Sequence, residues 1–217
     1  MEANKKTLAA IFENKIFDIP IYQRGYDWKG VNFEALWQDI NYCIDSKKPL
    51  FLGTVIFQES KDNNIGTNVS YQIVDGQQRI TTMTIFLTAL RRVFLERLEV
   101  EQDSSAKNLL TTQAAIINMR YLNVIDELGK TVRQRLNGTT YKKKKIVDAL
   151  NYICASGWQG DFPKEAILNG QKKRLALQFS RFKNVYDDFY KKLSAKNSKD
   201  EPVISSKKLQ EIYSTIS

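Results

Sequence analysis

Apolar residues recur along this chain at mixed spacings up to about residue 100 and almost only at helical spacings after it. Leu8, Ile11 and Phe12 share one side of a short amphipathic helix within residues 6–15, and Ile16-Phe17-Asp18-Ile19 reads as a brief strand stopped by Pro20. Residues 22–28 are loop-like. Phe33, Leu36, Trp37 and Ile40 then return at helical spacing until Pro49 ends the run. Residues 51–58 carry the β-branched and aromatic residues of a strand, residues 61–68 form a polar turn cluster, and residues 71–74 make a second strand, the first one's hairpin partner. Asp75-Gly76 breaks that strand, and residues 77–98 follow as one long helix, apolar on most sides and therefore central. Segments 106–128, 140–155, 171–193 and 205–216 all read as helices, with no convincing strand among them; residues 157–163 and 194–202 are loops.

The expected fold is therefore α+β, with a small mixed sheet in residues 1–100 and a basic helical subdomain in residues 101–217. The last helix stops at Ser217 without a glycine or proline signal, which points to a fragment of a longer protein.

Composition narrows the chemistry. At 42% hydrophobic and 26% charged residues, the 217-residue chain is of ordinary globular type. Nothing at the N-terminus resembles a secretory leader, and no apolar run is long enough to span a bilayer, so a cytoplasmic protein with no membrane partner is expected. Its two cysteines, Cys43 and Cys154, are then buried reduced thiols. Histidine is absent, which removes the usual general base, the commonest zinc ligand and any His-Asn-His nuclease centre from this sequence. The net charge of +9 is one-sided: residues 1–100 balance 12 basic against 12 acidic side chains, whereas residues 101–217 hold 21 against 12. Lys142-Lys143-Lys144-Lys145 and Lys172-Lys173-Arg174 are the densest groups. They are either phosphate contacts for sequence-independent DNA binding or a solvated helix surface.

Two local patterns carry candidate chemistry. Strand, Asp75-Gly76-Gln77-Gln78-Arg79, long helix is the first. A helix N-terminus offers unpaired amides and a partial positive charge to phosphate. Gly76 permits the close backbone approach, Arg79 in the first turn gains from an anion in front of it, and Asp75 can hold a divalent ion or orient a water. Gln77 and Gln78 can bond phosphate oxygens or that water. The plain alternative is a tight turn in which Asp75 caps the helix. Ile19-Pro20-Ile21-Tyr22-Gln23-Arg24-Gly25-Tyr26-Asp27-Trp28 is the second. Its aromatics with interleaved Gln23 and Arg24 suit a base or sugar-phosphate strand. Equally, Tyr22, Tyr26 and Trp28 can plug the core while Arg24 pairs with Asp27 or Asp39. Both segments end a strand and open a helix, so both are expected at one end of the sheet.

Together with Phe51-Leu52-Gly53-Thr54-Val55 between them, these two segments resemble the N-terminal domain of GmrSD-type restriction enzymes. The resemblance is close over residues 8–95 and general beyond. It implies a ParB/sulfiredoxin-like fold with a nucleoside triphosphate and magnesium as cofactors. Asp75, Gln77, Gln78 and Arg79 would form the hydrolytic motif, Asp75 would be the metal ligand, Gly76 and Arg79 would line the nucleotide site, and Tyr22, Gln23 and Arg24 would line that same site or the adjoining DNA-sensing surface. It further implies modified foreign DNA as partner, and cutting by a separate His-Asn-His-type domain. That nuclease domain and the family's further Glu-x-x-Asn-x-Arg-Gly motif both lie outside this sequence. Three functional expectations follow: a nucleotide-hydrolysing sensor of a restriction system, a ParB-like DNA-binding module with a ligand pocket but no turnover, or an interaction module in which both motifs are packing devices.

Overall fold

A computed structural model describes residues 4–20, 22–137 and 172–217. Its elements in chain order are α1 (Leu8–Phe12), β1 (Lys15–Asp18), α2 (Gly30–Ser46), β2 (Ile56–Ile65), β3 (Asn68–Asp75), α3 (Gln77–Val100) and α4 (Ser104–Ile117). A π-helical turn (Asn118–Leu122), three short strands β4 (Asn123–Ile125), β5 (Thr131–Gln134) and β6 (Leu136–Asn137), then α5 (Lys172–Ser194) and α6 (Ser206–Ile216) complete it. The fold is α+β, as expected.

The main sheet runs β2-β3-β1-β6, with β4 and β5 pairing separately. β2 and β3 form the expected antiparallel hairpin, but its turn tightens to Gly66-Thr67, with Ile65 opposite Asn68 and Gly66 at φ 55°. β1 lies parallel to β3, with Asp18 opposite Gln72. A parallel pair sends both chains out at the same end, and this is what places the segments after β1 and after β3 side by side.

Two readings of the sequence are corrected here. Residues 51–55 are not part of the strand: Gly53 sits at φ 83°, so pairing begins only at Ile56. And the helix read over 106–128 stops short of residue 123, where β4 begins, while β6 adds to the main sheet parallel to β1, with Phe17 opposite Leu136. The cause is Arg135. It is buried, and it donates to the carbonyls of Met119 (2.9 Å) and Lys15 (3.0 Å) and to Asn68 Oδ1 (2.9 Å), fastening this stretch to β1 and β3.

α3 is the axis, with Ile80 to Leu90 entirely buried. Three of the four threonines that interrupt its apolar run donate to carbonyls one turn back, Thr82 to Gln78 (2.8 Å), Thr84 to Ile80 (2.9 Å) and Thr88 to Thr84 (2.8 Å), so the burial of these three leaves no hydroxyl unsatisfied. α5 and α6 pack on α3, and one hydrophobic core runs from Leu8 to Ile216. Among the described residues no helix is long and apolar enough to cross a membrane. Cys43 is a buried free thiol; Cys154 lies outside the described residues.

Candidate functional site

Gly76 opens α3 at φ 88°, a backbone that side chains rarely adopt, and a Cβ there would meet Val55 at 3.0 Å. The glycine therefore lets α3 begin immediately at the end of β3. No side chain caps this terminus, so the capped turn weighed from the sequence is not what forms. Asp75 is turned outward, 65% exposed, and pairs with Arg79 across one turn at 3.6 Å.

Gln77 and Gln78 are buried, and both use their amides on the neighbouring loop. Gln77 Nε2 donates to Arg24 O (2.9 Å) and Gln78 Nε2 to Gly25 O (3.2 Å), while Gln78 Oε1 accepts from the Asp27 amide (2.9 Å). Gln23 returns the contact, its Nε2 donating to Val74 O at 2.8 Å. The two segments singled out in the sequence are thus stitched together, residue against residue. What the stitching joins is backbone to amide, with neither arginine guanidinium involved.

The aromatics of the loop divide. Tyr26 is 5% exposed; its hydroxyl donates to Thr82 Oγ1 at 2.7 Å, and its ring stands 5.2 Å from that of Phe182. Burial holds its phenol well above the usual tyrosine range. Trp28 packs partly against the core, whereas Tyr22 stands 70% exposed. Arg24 is exposed and pairs with no carboxylate among the described residues; Asp27 pairs instead with Arg181 at 3.4 Å.

Arg79 turns away from the loop. Its Nη1 reaches Leu52 O at 3.4 Å, and Gly53 makes room for it: a Cβ on Gly53 would stand 2.2 Å from Nη1. At 29% exposure the guanidinium lines a groove of about 210 Å³ between α2 and residues 50–52. Trp28, Asn32, Asp39, Phe51 and Met83 line it too; Arg24 does not. Phe51 stands 81% exposed at this groove. On the α2 face of Asn32, Leu36 and Asp39, the sequence reading takes Leu36 as core and Asp39 as a partner of Arg24 and misses Asn32, although the three- and four-residue spacing marks one helix face. Nothing local in the sequence marked Gly53 or Arg181 as a neighbour of this site.

The basic groups are only partly seen. Lys142, Lys143, Lys144 and Lys145 lie outside the described residues. Lys172, Lys173 and Arg174 form the first turn of α5, and their side chains are likewise outside the description. Among the described residues, no group of three or more acidic or thiol side chains is arranged to hold a metal ion by itself.

The profile of the GmrSD restriction endonuclease N-terminal domain matches residues 8–216. The chain belongs to that family. The match takes in the helical second half, well beyond the stretch in which the GmrSD resemblance was close from motifs alone. No curated protein matches the chain.

Proposed function

We propose that this GmrSD-type domain binds a nucleoside triphosphate, with the phosphates at the N-terminus of α3 beside Arg79 and the nucleoside in the groove between α2 and residues 50–52. The observation that carries this reading is an uncapped helix N-terminus with a half-buried arginine beside it, held by only a 3.4 Å carbonyl contact and a 3.6 Å ion pair. Unpaired amides, the helix dipole and a guanidinium all favour an anion at the same place. The groove is of a size for a nucleobase or sugar, and Trp28 and Phe51 offer it aromatic faces. Arg24, exposed on the adjoining loop, would serve the outer phosphates or a DNA strand. Asp75 fits a divalent ion that arrives with the nucleotide, because magnesium is ordinarily held by one or two carboxylates plus substrate phosphates. Such an ion would supply charge neutralisation on the phosphates.

In the restriction system, nucleotide occupancy would be coupled to recognition of modified DNA, with cutting left to a separate nuclease domain. A second reading, nucleotide binding without turnover in a ParB-like module, has one observation in its favour. Both Gln77 and Gln78 amides are already engaged by the loop, so orienting an attacking water would require one of them to leave it.

Titration with magnesium complexes of the four common nucleoside triphosphates, followed by measurement of phosphate release, tests both readings. Micromolar binding that falls at least tenfold in Arg79→Ala supports the site; equal binding by the two proteins contradicts it. Binding with no phosphate release favours the second reading.

A further inference from the structure

We propose that Arg181 is a positioning residue through which α5 governs the nucleotide groove; the inference rests on the nucleotide reading given above. Arg181 Nη1 donates to Tyr26 O, and its Nη2 pairs with Asp27 Oδ1 at 3.4 Å. The next residue, Phe182, packs its ring on Tyr26. Two consecutive residues of α5 thus hold two consecutive residues of the loop.

That hold continues into the site. The Asp27 amide donates to Gln78 Oε1, and Gln78 stands next to Arg79 in the first turn of α3. The residue after Asp27 is Trp28, a wall of the groove that Arg79 lines. Arg181 thus reaches this loop from outside the first hundred residues, and it grips the peptide that precedes the Trp28 wall. An arginine is suited to this double grip because its planar fork binds a carbonyl and a carboxylate together. The guanidinium is only about two-thirds covered, and the Tyr26–Phe182 ring contact holds the loop separately, so Arg181→Gln is expected to fold.

Amide hydrogen exchange on the whole chain, wild type against Arg181→Gln and Arg181→Lys, tests the inference, together with titration of the magnesium complexes of N-methylanthraniloyl ATP and GTP. Arg181→Gln is expected to speed exchange of the Asp27 amide at least tenfold while the amides of 83–90 stay protected, and to weaken analogue binding about tenfold. Arg181→Lys, which keeps the charge and loses the fork, recovers part of both. Unchanged Asp27 exchange in Arg181→Gln overturns the inference, as does faster exchange with unchanged affinity. A wild type that binds neither analogue removes the nucleotide reading instead, and the exchange arm alone then decides whether Arg181 sets the loop.

Discussion

Gly53 and Gln78 show how much of this site is built by contacts within the protein itself. Gly53 combines φ 83° with Arg79 Nη1 at 2.2 Å from the place of a Cβ. Gly53→Ala is expected to cost about 1–3 kcal/mol through its backbone alone and to push Arg79 off the groove wall. Thermal unfolding and nucleotide titration on one preparation check both effects. Gln78 makes two bonds to the loop, one donated and one accepted. Its alanine variant strands the Asp27 amide and the Gly25 carbonyl, at a cost of about 1–3 kcal/mol measurable by urea denaturation. Gln78→Glu keeps the acceptor for Asp27 and loses the donor to Gly25, so it should recover part of that stability. The sequence supports a role for these glutamines in either chemistry or packing. Side-chain pattern alone could not decide between them, because an amide serves phosphate and backbone with the same atoms.

At the scale of elements, the β2–β3 hairpin, the long α3 and the two closing helices were all legible, because each spans enough residues for its period to be read. β4, β5 and β6 were not. With three, four and two residues they are too short to establish an alternation, and β6 owes its place to Arg135 and not to its own pattern. Arg135 sits almost wholly inside the protein, where desolvation draws its pKa down and carbonyl oxygens solvate its charge. Arg135→Met should destabilise the fold by about 3 kcal/mol, with loss of protection first in residues 131–137, measured by hydrogen exchange. The convergence of the loop after β1 with the start of α3 was legible too, from two strand–turn–helix segments. Its stitching by Gln23, Gln77 and Gln78 follows from β1 and β3 being parallel, a pairing that sequence alone does not reveal. The place of Arg181 at this loop could not be foreseen, since it lies 155 residues beyond Tyr26.

On the scale of the whole molecule, helices from the second half close the same core that the sheet opens, and this has two measurable consequences. Burial raises the phenols of Tyr26, Tyr121 and Tyr186 above the ordinary value of 10.0. Unfolded, these groups would ionise near that ordinary value, while folded they keep their protons. Stability is therefore complete below about pH 10 and falls as pH rises above it, by about 1.4 kcal/mol per pH unit for each tyrosine still protonated in the fold. Urea midpoints between pH 8 and pH 11 check the direction. Secondly, part of the excess of basic residues after position 100 shares α5 with Arg181. Duplex DNA should then raise nucleotide affinity in the wild type, lose that effect in Arg181→Gln, and act more weakly as salt increases. The central claim, a nucleotide seated at the start of α3, is tested most directly by backbone NMR during titration with a magnesium nucleoside triphosphate. The account predicts that the amides of Gln77, Gln78, Arg79 and Gly53 move first and saturate together. Saturable shifts elsewhere, with those four amides unmoved, would contradict it.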